Sequence, residues 1–215
     1  MKRHASPSGH ALVICNGDVP AKRRIAPLLH GNPFILCADG GANKARQLGI
    51  RPHAIVGDMD SITKGTLRYF SAVETIQVQD QYSTDLEKAL DFLAMRQIRS
   101  AVVIGATGGR SDHSFANFSI MKKYRKRIHL QFLDSFCEIQ IVDRKIAFGA
   151  SVGSIISLMP MGRCEGITTT GLKYPLSNES LELGIREGTS NEVVSPLVKI
   201  EVRKGNLLLF IVAKE

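Results

Sequence analysis

Ala54-Ile55-Val56-Gly57-Asp58-Met59-Asp60-Ser61 runs from a short apolar segment through a glycine into two acids one residue apart. The apolar part reads as a buried strand. Gly57 lets the backbone turn and lets a ligand come close. Acids two apart point to the same side of an extended chain, and neighbouring carboxylates repel unless a cation neutralises them. Mg²⁺, a hard cation, is held by one or two carboxylates together with substrate phosphates. The same residues also suit a polar loop in which Asp58 or Asp60 caps the next helix, so the flanking sequence has to decide.

Working outward, apolar runs of the same kind occupy residues 11–15, 34–38, 75–78, 101–104 and 129–133. Helical patterning separates most of them: residues 22–29, Ala42 to Leu48 with a stop at Gly49, and a segment carrying Leu86, Ala89, Leu90 and Leu93. Short apolar strands alternating with helices predict a parallel sheet covered on both faces, a Rossmann-like α/β domain. Acids or glycines follow nearly every strand: Asn16-Gly17-Asp18, Asp39-Gly40-Gly41, Asp58 and Asp60, Asp80, Gly105 and Asp134. In open α/β sheets that rim binds ligands. A rim so rich in carboxylates repels bare phosphate and suits phosphate that arrives with a divalent metal. Neither GxGxxG nor GxxxxGK[ST] is present, which argues against a dinucleotide fold and a P-loop.

Thr84-Asp85-Leu86-Glu87 has the form of a capping box. Asp85 then either favours the positive helix end or shares a metal with Asp58 and Asp60. Gly108-Gly109-Arg110-Ser111-Asp112-His113 follows the fifth strand and precedes a helix with Phe115, Phe118 and Met121. Free N–H groups at a helix start and a guanidinium fork suit phosphate. Asp112 fits either a helix cap or a metal ligand, and His113 either a structural hydrogen bond or proton and phosphate chemistry.

After Asp134 the pattern changes to short β-like runs at residues 138–142, 145–148, 154–158, 166–170, 181–185, 193–194, 198–202 and 207–212. Arg203-Lys204-Gly205-Asn206 reads as a hairpin turn, and residues 188–192 as the most polar loop. The expectation is an α/β domain over residues 10–134 and a β-sandwich over residues 135–215, preceded by a disordered polar segment at residues 1–9.

Composition narrows the function classes. No apolar tract is long enough to cross a bilayer. Cys15, Cys37, Cys137 and Cys164 form no CxxC pair, so neither a zinc site nor a disulfide framework is indicated, and buried thiols in the cytoplasm are the expectation. The net charge of +8 concentrates in residues 122–127 and 22–24. Tyr124 is the one aromatic residue in either cluster, and no helix-turn-helix or RRM signature accompanies them, which favours solvated helix faces over nucleic-acid binding.

Six stretches taken together, ADGGAN (38–43), GDMDS (57–61), STDLEKAL (83–90), GGRSDH (108–113), TTTGLKY (168–174) and GTSNE (188–192), resemble thiamine pyrophosphokinases in order and spacing. The resemblance implies transfer of pyrophosphate from ATP to thiamine by a Mg²⁺-dependent homodimer. Its thiamine site would lie between the first domain of one subunit and the second domain of the other. It further implies that Asp58, Asp60, Asp85 and Asp112 hold Mg²⁺ and orient phosphates, with Asp85 or Asp112 taking the hydroxyl proton. Asp39, Gly40, Gly41, Ser61, Gly108, Gly109, Arg110 and His113 would serve ATP. Gln81, Thr84, Tyr174, Ser190 and Asn191 would serve thiamine, the last two at its pyrimidine. Animal members carry Trp at the Tyr174 position, which keeps a stacking ring, and Gln at the His113 position, which argues against an essential acid–base role there. A pyrophosphokinase for a hydroxymethyl pterin, a non-catalytic nucleotide or thiamine diphosphate sensor, and a nucleic-acid binder are the rival readings.

Overall fold

The computed structural model describes residues 9–213 and divides into two compact units, one ending at Ser135 and the other beginning at Phe136. Apart from Gly9, the expected disordered opening segment lies outside the described residues.

The first unit runs β1 (His10–Ile14), α1 (Lys22–Ile25), β2 (Phe34–Ala38), α2 (Gly41–Leu48), β3 (Ala54–Gly57), α3 (Lys64–Tyr69), β4 (Glu74–Gln77), α4 (Asp85–Met95), β5 (Ser100–Ile104), α5 (Ser111–Tyr124) and β6 (His129–Leu133). Its strands lie in the order β6-β5-β1-β2-β3-β4, and every neighbouring pair is parallel. Leu12, Ile14, Cys37, Ile55 and Ile104 bury one sheet face together with Ala42 and Ala45 of α2. The chain builds outward from β1 to β4 and then returns to the other side of β1. The loops after β1 and β5 therefore open between them the crevice that marks a ligand site in such sheets. These loops are stitched together by Gly17 N donating to Gly105 O (2.9 Å) and Asp18 N to Thr107 O (2.8 Å).

The helix expected over residues 22–29 breaks in two: α1 ends at Ile25, and Ala26–Leu29 is a 3₁₀ turn. Pro27 has no N–H, and its ring collides with the preceding turn of an α-helix. At the start of α2 a Cβ on Gly41 would stand 1.9 Å from Ile14 O, so only glycine lets this helix press against β1.

The second unit comprises β7 (Cys137–Val142), β8 (Lys145–Gly149), β9 (Ile155–Pro160), β10 (Arg163–Thr170), β11 (Glu179–Glu182), β12 (Gly188–Glu192), β13 (Leu197–Lys204) and β14 (Leu207–Val212). The antiparallel sheets β12-β9-β14-β7 and β11-β10-β13-β8 enclose one apolar core that includes Ile156, Leu158, Ile167, Leu181, Val198, Ile200, Leu207 and Leu209. This is a β-sandwich.

Three sequence readings fail here. Residues 203–206 make no hairpin: β13 pairs with β8 and β10, whereas β14 pairs with β7 and β9. Both strands send apolar side chains into the same core, so they face each other across it and the turn carries the chain between layers. Residues 188–192 are no loop but the edge strand β12, aligned with β9 through Asn191↔Ile156 and Glu192↔Ile155. An edge strand is held by main-chain bonds along one side only, so its polar sequence does not prevent pairing. Val193, expected in a strand, makes a single bridge to Leu172.

Candidate active site

The site begins where β3 ends. Asp39, at the end of β2, is fully buried, and its two carboxylate oxygens accept from Met59 N (2.8 Å) and Ser61 N (3.1 Å). It thereby folds residues 58–61 around itself. The backbone is strained on both sides of this contact: Asp39 has φ +40° and Met59 φ +73°, conformations that persist only when surrounding bonds enforce them. Gly57 is required, because a Cβ there would lie 2.5 Å from Asp39 Cβ. Asn43 of α2 braces the same turn by donating to Ser61 O (2.8 Å) and accepting from Thr63 N (3.1 Å).

This fold gathers carboxylate oxygens of Asp39, Asp58 and Asp60 within 4.8 Å of one another. The hydrogen bond from Asp60 N, followed by the Lys88 ammonium, holds Asp58 below its ordinary carboxylate range against the opposing effect of burial. Three hard oxygen donors with two of them open to solvent fit Mg²⁺.

The start of α4 supplies the next groups. The capping box is complete: Thr84 N donates to Glu87 Oε2 (2.9 Å) and Glu87 N to Thr84 Oγ1 (3.3 Å). Glu87 is also tied to α5 through Lys123 Nζ at 2.7 Å. With its first turn fixed, α4 directs Asp85 and Lys88 to the crevice. Lys88 Nζ lies 3.3 Å from Asp58 Oδ2 and 3.3 Å from Asp85 Oδ1, with only 3% of its side chain exposed. Burial by itself lowers a lysine pKa, but bonds and charge from Asp85 and Asp58 outweigh it and leave Lys88 raised. Burial, then the charge of Asp39, raises the Asp85 carboxyl, and Lys88 only partly offsets them.

The loop before α5 completes the rim. Arg110 Nε and Nη2 grip Asp112 Oδ1 and Oδ2 at 3.1 and 2.6 Å, a fork that holds the Asp112 carboxyl at about 2. Asp112 does not cap α5, whose N-cap is Arg110 with no side-chain bond.

These elements enclose a cavity of about 570 Å³. Asp58, Gln81, Thr84 and Asp85 line it from the β3 and β4 side, and Gly108, Gly109, Arg110, Asp112 and His113 from the β5 side. Asp39, Gly40, Gly41, Asp60 and Ser61 are not among its lining residues. The two glycines serve packing, a Cβ on Gly40 meeting Asn16 at 2.5 Å, while Asp39 holds the 58–61 turn. Sequence reasoning missed Lys88 and Asn43. Lys88 stands three residues after Asp85 on a helix, a spacing that more often marks a solvated pair. Only the tertiary approach of β3 makes it a bridge.

In the second unit Ser190 and Asn191 lie in β12, and Asn191 meets Tyr174. Asn191 Nδ2 donates to Tyr174 O (2.8 Å), and its Oδ1 accepts from Tyr174 N (3.1 Å). Ser190 sits at a bulge with φ +56°, its N donating to Ser157 Oγ (3.0 Å).

Residues 25–132 match the thiamin pyrophosphokinase catalytic domain, and residues 138–207 match the thiamin pyrophosphokinase vitamin B1 binding domain. The chain belongs to the thiamin pyrophosphokinase family. It is 31% identical to thiamine pyrophosphokinase 1 of Oryza sativa subsp. japonica, over 90% of this chain and 83% of that protein. It is 32% identical to thiamine pyrophosphokinase 2 of Arabidopsis thaliana, over 89% and 82%. The crystal structure of thiamine pyrophosphokinase from Bacillus subtilis superposes with a TM-score of 0.84 at 26% identity, covering 95% of this chain and all of that one. The carboxylate cluster and the cavity residues named above fall within the segment matching the family's catalytic domain, and Tyr174, Ser190 and Asn191 within the segment matching its vitamin B1 binding domain.

Proposed function

We propose that this protein transfers the pyrophosphoryl group of ATP to the hydroxyethyl oxygen of thiamine, giving thiamine diphosphate and AMP. The observation that carries the reading is the crevice beside β1. There Asp58 and Asp85 line one cavity with Gly108, Gly109 and Arg110, in a chain that matches both domains of the family.

In the reaction the thiamine hydroxyl oxygen bonds to the β-phosphorus, the bond from that phosphorus to the oxygen shared with the α-phosphate breaks, and AMP departs with that oxygen. Transfer of this kind depends on positioning and charge neutralisation more than on covalent catalysis. Asp58 and Asp60, with Asp39, Asp85 and Asp112 as further candidates, would hold Mg²⁺, which would supply neutralisation of charge on the phosphate oxygens. Gly108, Gly109 and Arg110 offer N–H donors to the phosphates. Asp85 is the better acceptor for the hydroxyl proton: its carboxyl is raised, whereas Arg110 holds Asp112 at about 2. Lys88 keeps Asp58 and Asp85 together while both are charged. His113 lines the cavity and is assigned no proton step.

In the second unit, Tyr174 gives the heterocycle a stacking surface, and Ser190 and Asn191 lie beside it. We further propose a homodimer in which the first unit of one subunit and the second unit of its partner share the thiamine. A cytoplasmic setting is supported by the burial of Cys15, Cys37 and Cys164 in the apolar cores.

Purified protein incubated with ATP, Mg²⁺ and thiamine, and analysed by HPLC, tests the reading. Thiamine diphosphate and AMP in equal amounts, abolished by EDTA, support it. ADP with thiamine monophosphate overturns the assignment of the transferred group. Thiamine binding without turnover means a sensor. Turnover of a hydroxymethyl pterin alone moves the substrate.

A further inference from the structure

Tyr174 lies in no strand, and Pro175 follows it. Its backbone N–H and C=O are therefore served by neither sheet. Both are taken by one side-chain amide: Asn191 Oδ1 accepts from Tyr174 N at 3.1 Å, and Asn191 Nδ2 donates to Tyr174 O at 2.8 Å. The same Oδ1 also accepts from Glu192 N at 2.9 Å. A carboxamide offers two acceptor sites and two donor hydrogens. Three of the four are thus filled from within the chain, and Asn191 is only 8% exposed. That is the environment of a structural clamp, whereas Tyr174 leaves 64% of its surface open.

Neighbouring bonds extend the strap. Lys173 N donates to Glu192 O (2.8 Å), and Val194 N to Gly171 O (2.9 Å). Lys173 Nζ pairs with Glu192 Oε2 at 3.0 Å and stands 5.9 Å from the centroid of the Tyr174 ring. That ammonium occupies one ring face, so a flat heterocycle is received on the other.

We propose that Asn191 is a positioning residue for the heterocyclic substrate: it sets substrate affinity by holding the backbone of Tyr174, and so its ring, rather than by binding the pyrimidine itself. The inference rests on the reading above that Tyr174 meets thiamine. Removing the clamp leaves two backbone groups of Tyr174 without their partners and frees the ring to wander.

The test is a double-mutant cycle in the full-length enzyme with Tyr174→Ala, Asn191→Ala and the pair. Each single variant is expected to raise the KM for thiamine about ten-fold with a smaller change in kcat, leaving the KM for ATP in place. The double variant is expected to be no worse than Tyr174→Ala. Multiplying effects in the double variant overturn the proposal, because Asn191 would then act without the ring. So does a wild-type thiamine KM in Asn191→Ala.

The chain contains no tryptophan, so Tyr174→Trp installs a single reporter. Adding Asn191→Ala is expected to lower its fluorescence anisotropy, and unchanged anisotropy overturns the clamp. If Asn191→Ala fails to fold, Asn191→Asp takes its place. It keeps the acceptor and loses the donor, with an intermediate thiamine KM expected and a wild-type value overturning the proposal. A wild-type enzyme that makes no thiamine diphosphate defeats the functional reading, while the anisotropy still judges the clamp. Thiamine diphosphate synthesis with an unaltered thiamine KM in Tyr174→Ala defeats the substrate role given to the clamp and leaves the activity standing.

Discussion

Replacing Lys88 with methionine removes a cation from the middle of the site while keeping most of the side-chain bulk. In the native chain its ammonium is 3.3 Å from both Asp58 and Asp85, and 3% of the lysine side chain is exposed against 23% and 42% for the two acids. Breaking a fully buried ion pair costs about 3–5 kcal/mol, whereas an exposed pair is worth about 0–1 kcal/mol. Here the lysine end is dry and the acid ends are wet, so the loss falls between these limits, at about 2 kcal/mol. For a chain of this size that corresponds to a fall in Tm of about 4–8 °C. The loss has a signature that a packing defect lacks. Without Lys88 the acids at the rim repel one another, and added Mg²⁺ relieves the repulsion. The Tm gain on adding Mg²⁺ should therefore be larger in Lys88→Met than in the wild type. Thermal melts followed by circular dichroism, in EDTA and in excess Mg²⁺, measure both quantities. A Tm in EDTA within about 1 °C of wild type is far below the expected loss and would refute the reasoning. Equal Mg²⁺ gains in the two proteins would refute the electrostatic cause.

Asp58→Asn and Asp60→Asn should fold with native circular dichroism yet lose at least about a hundredfold in turnover at saturating Mg²⁺, since metal charge stabilisation is worth several kcal/mol; near-normal rates would remove these acids from the metal site. Thr84→Ala should cost about 1 kcal/mol in urea unfolding by opening the capping box. Burial raises the Glu87 carboxyl, but bonds from Lys123 and Thr84 N outweigh it and hold the folded value below the ordinary 4.5. The stability Glu87 contributes is thus fully present above pH 4.5 and is lost as the pH falls through that lower value. The stability gap between wild type and Glu87→Gln should be flat near neutrality and shrink in acid, and a gap that widened in acid would contradict the assignment. Gly41→Ala places a methyl 1.9 Å from Ile14 O, so it should destabilise by about 3 kcal/mol or more; a Tm equal to wild type would show that α2 can move away from β1.

Much of the site is legible in the sequence. Asp58 and Asp85 carry local signals, a strand exit and a capping box, and both line the cavity. Arg110 and Asp112 stand two residues apart in a glycine-rich turn, so their meeting needs no distant partner. Asp39 is legible as a rim acid but not as the buried post around which residues 58–61 fold, because that task depends on β2 and β3 lying side by side. Lys88 is harder still. It bridges Asp58 across thirty positions of sequence, a contact no helical periodicity announces.

What the sequence determined by itself was set by short-range chemistry. Apolar runs made strands, Gly49 closed α2 at φ +74°, Pro27 broke a helix, and Thr84 with Glu87 began one. These outcomes depend on dihedral limits and hydrogen bonds within a few residues. The tertiary structure alone decided which strands became neighbours. It sent residues 203–206 between two sheets instead of around a hairpin, and paired the polar residues 188–192 with β9. Only then could Asn191 close on Tyr174 and Lys88 on Asp58. Strand pairing is a competition among distant segments for the same core, and its winner is fixed by burial and main-chain bonding summed over the whole unit, which no local stretch contains.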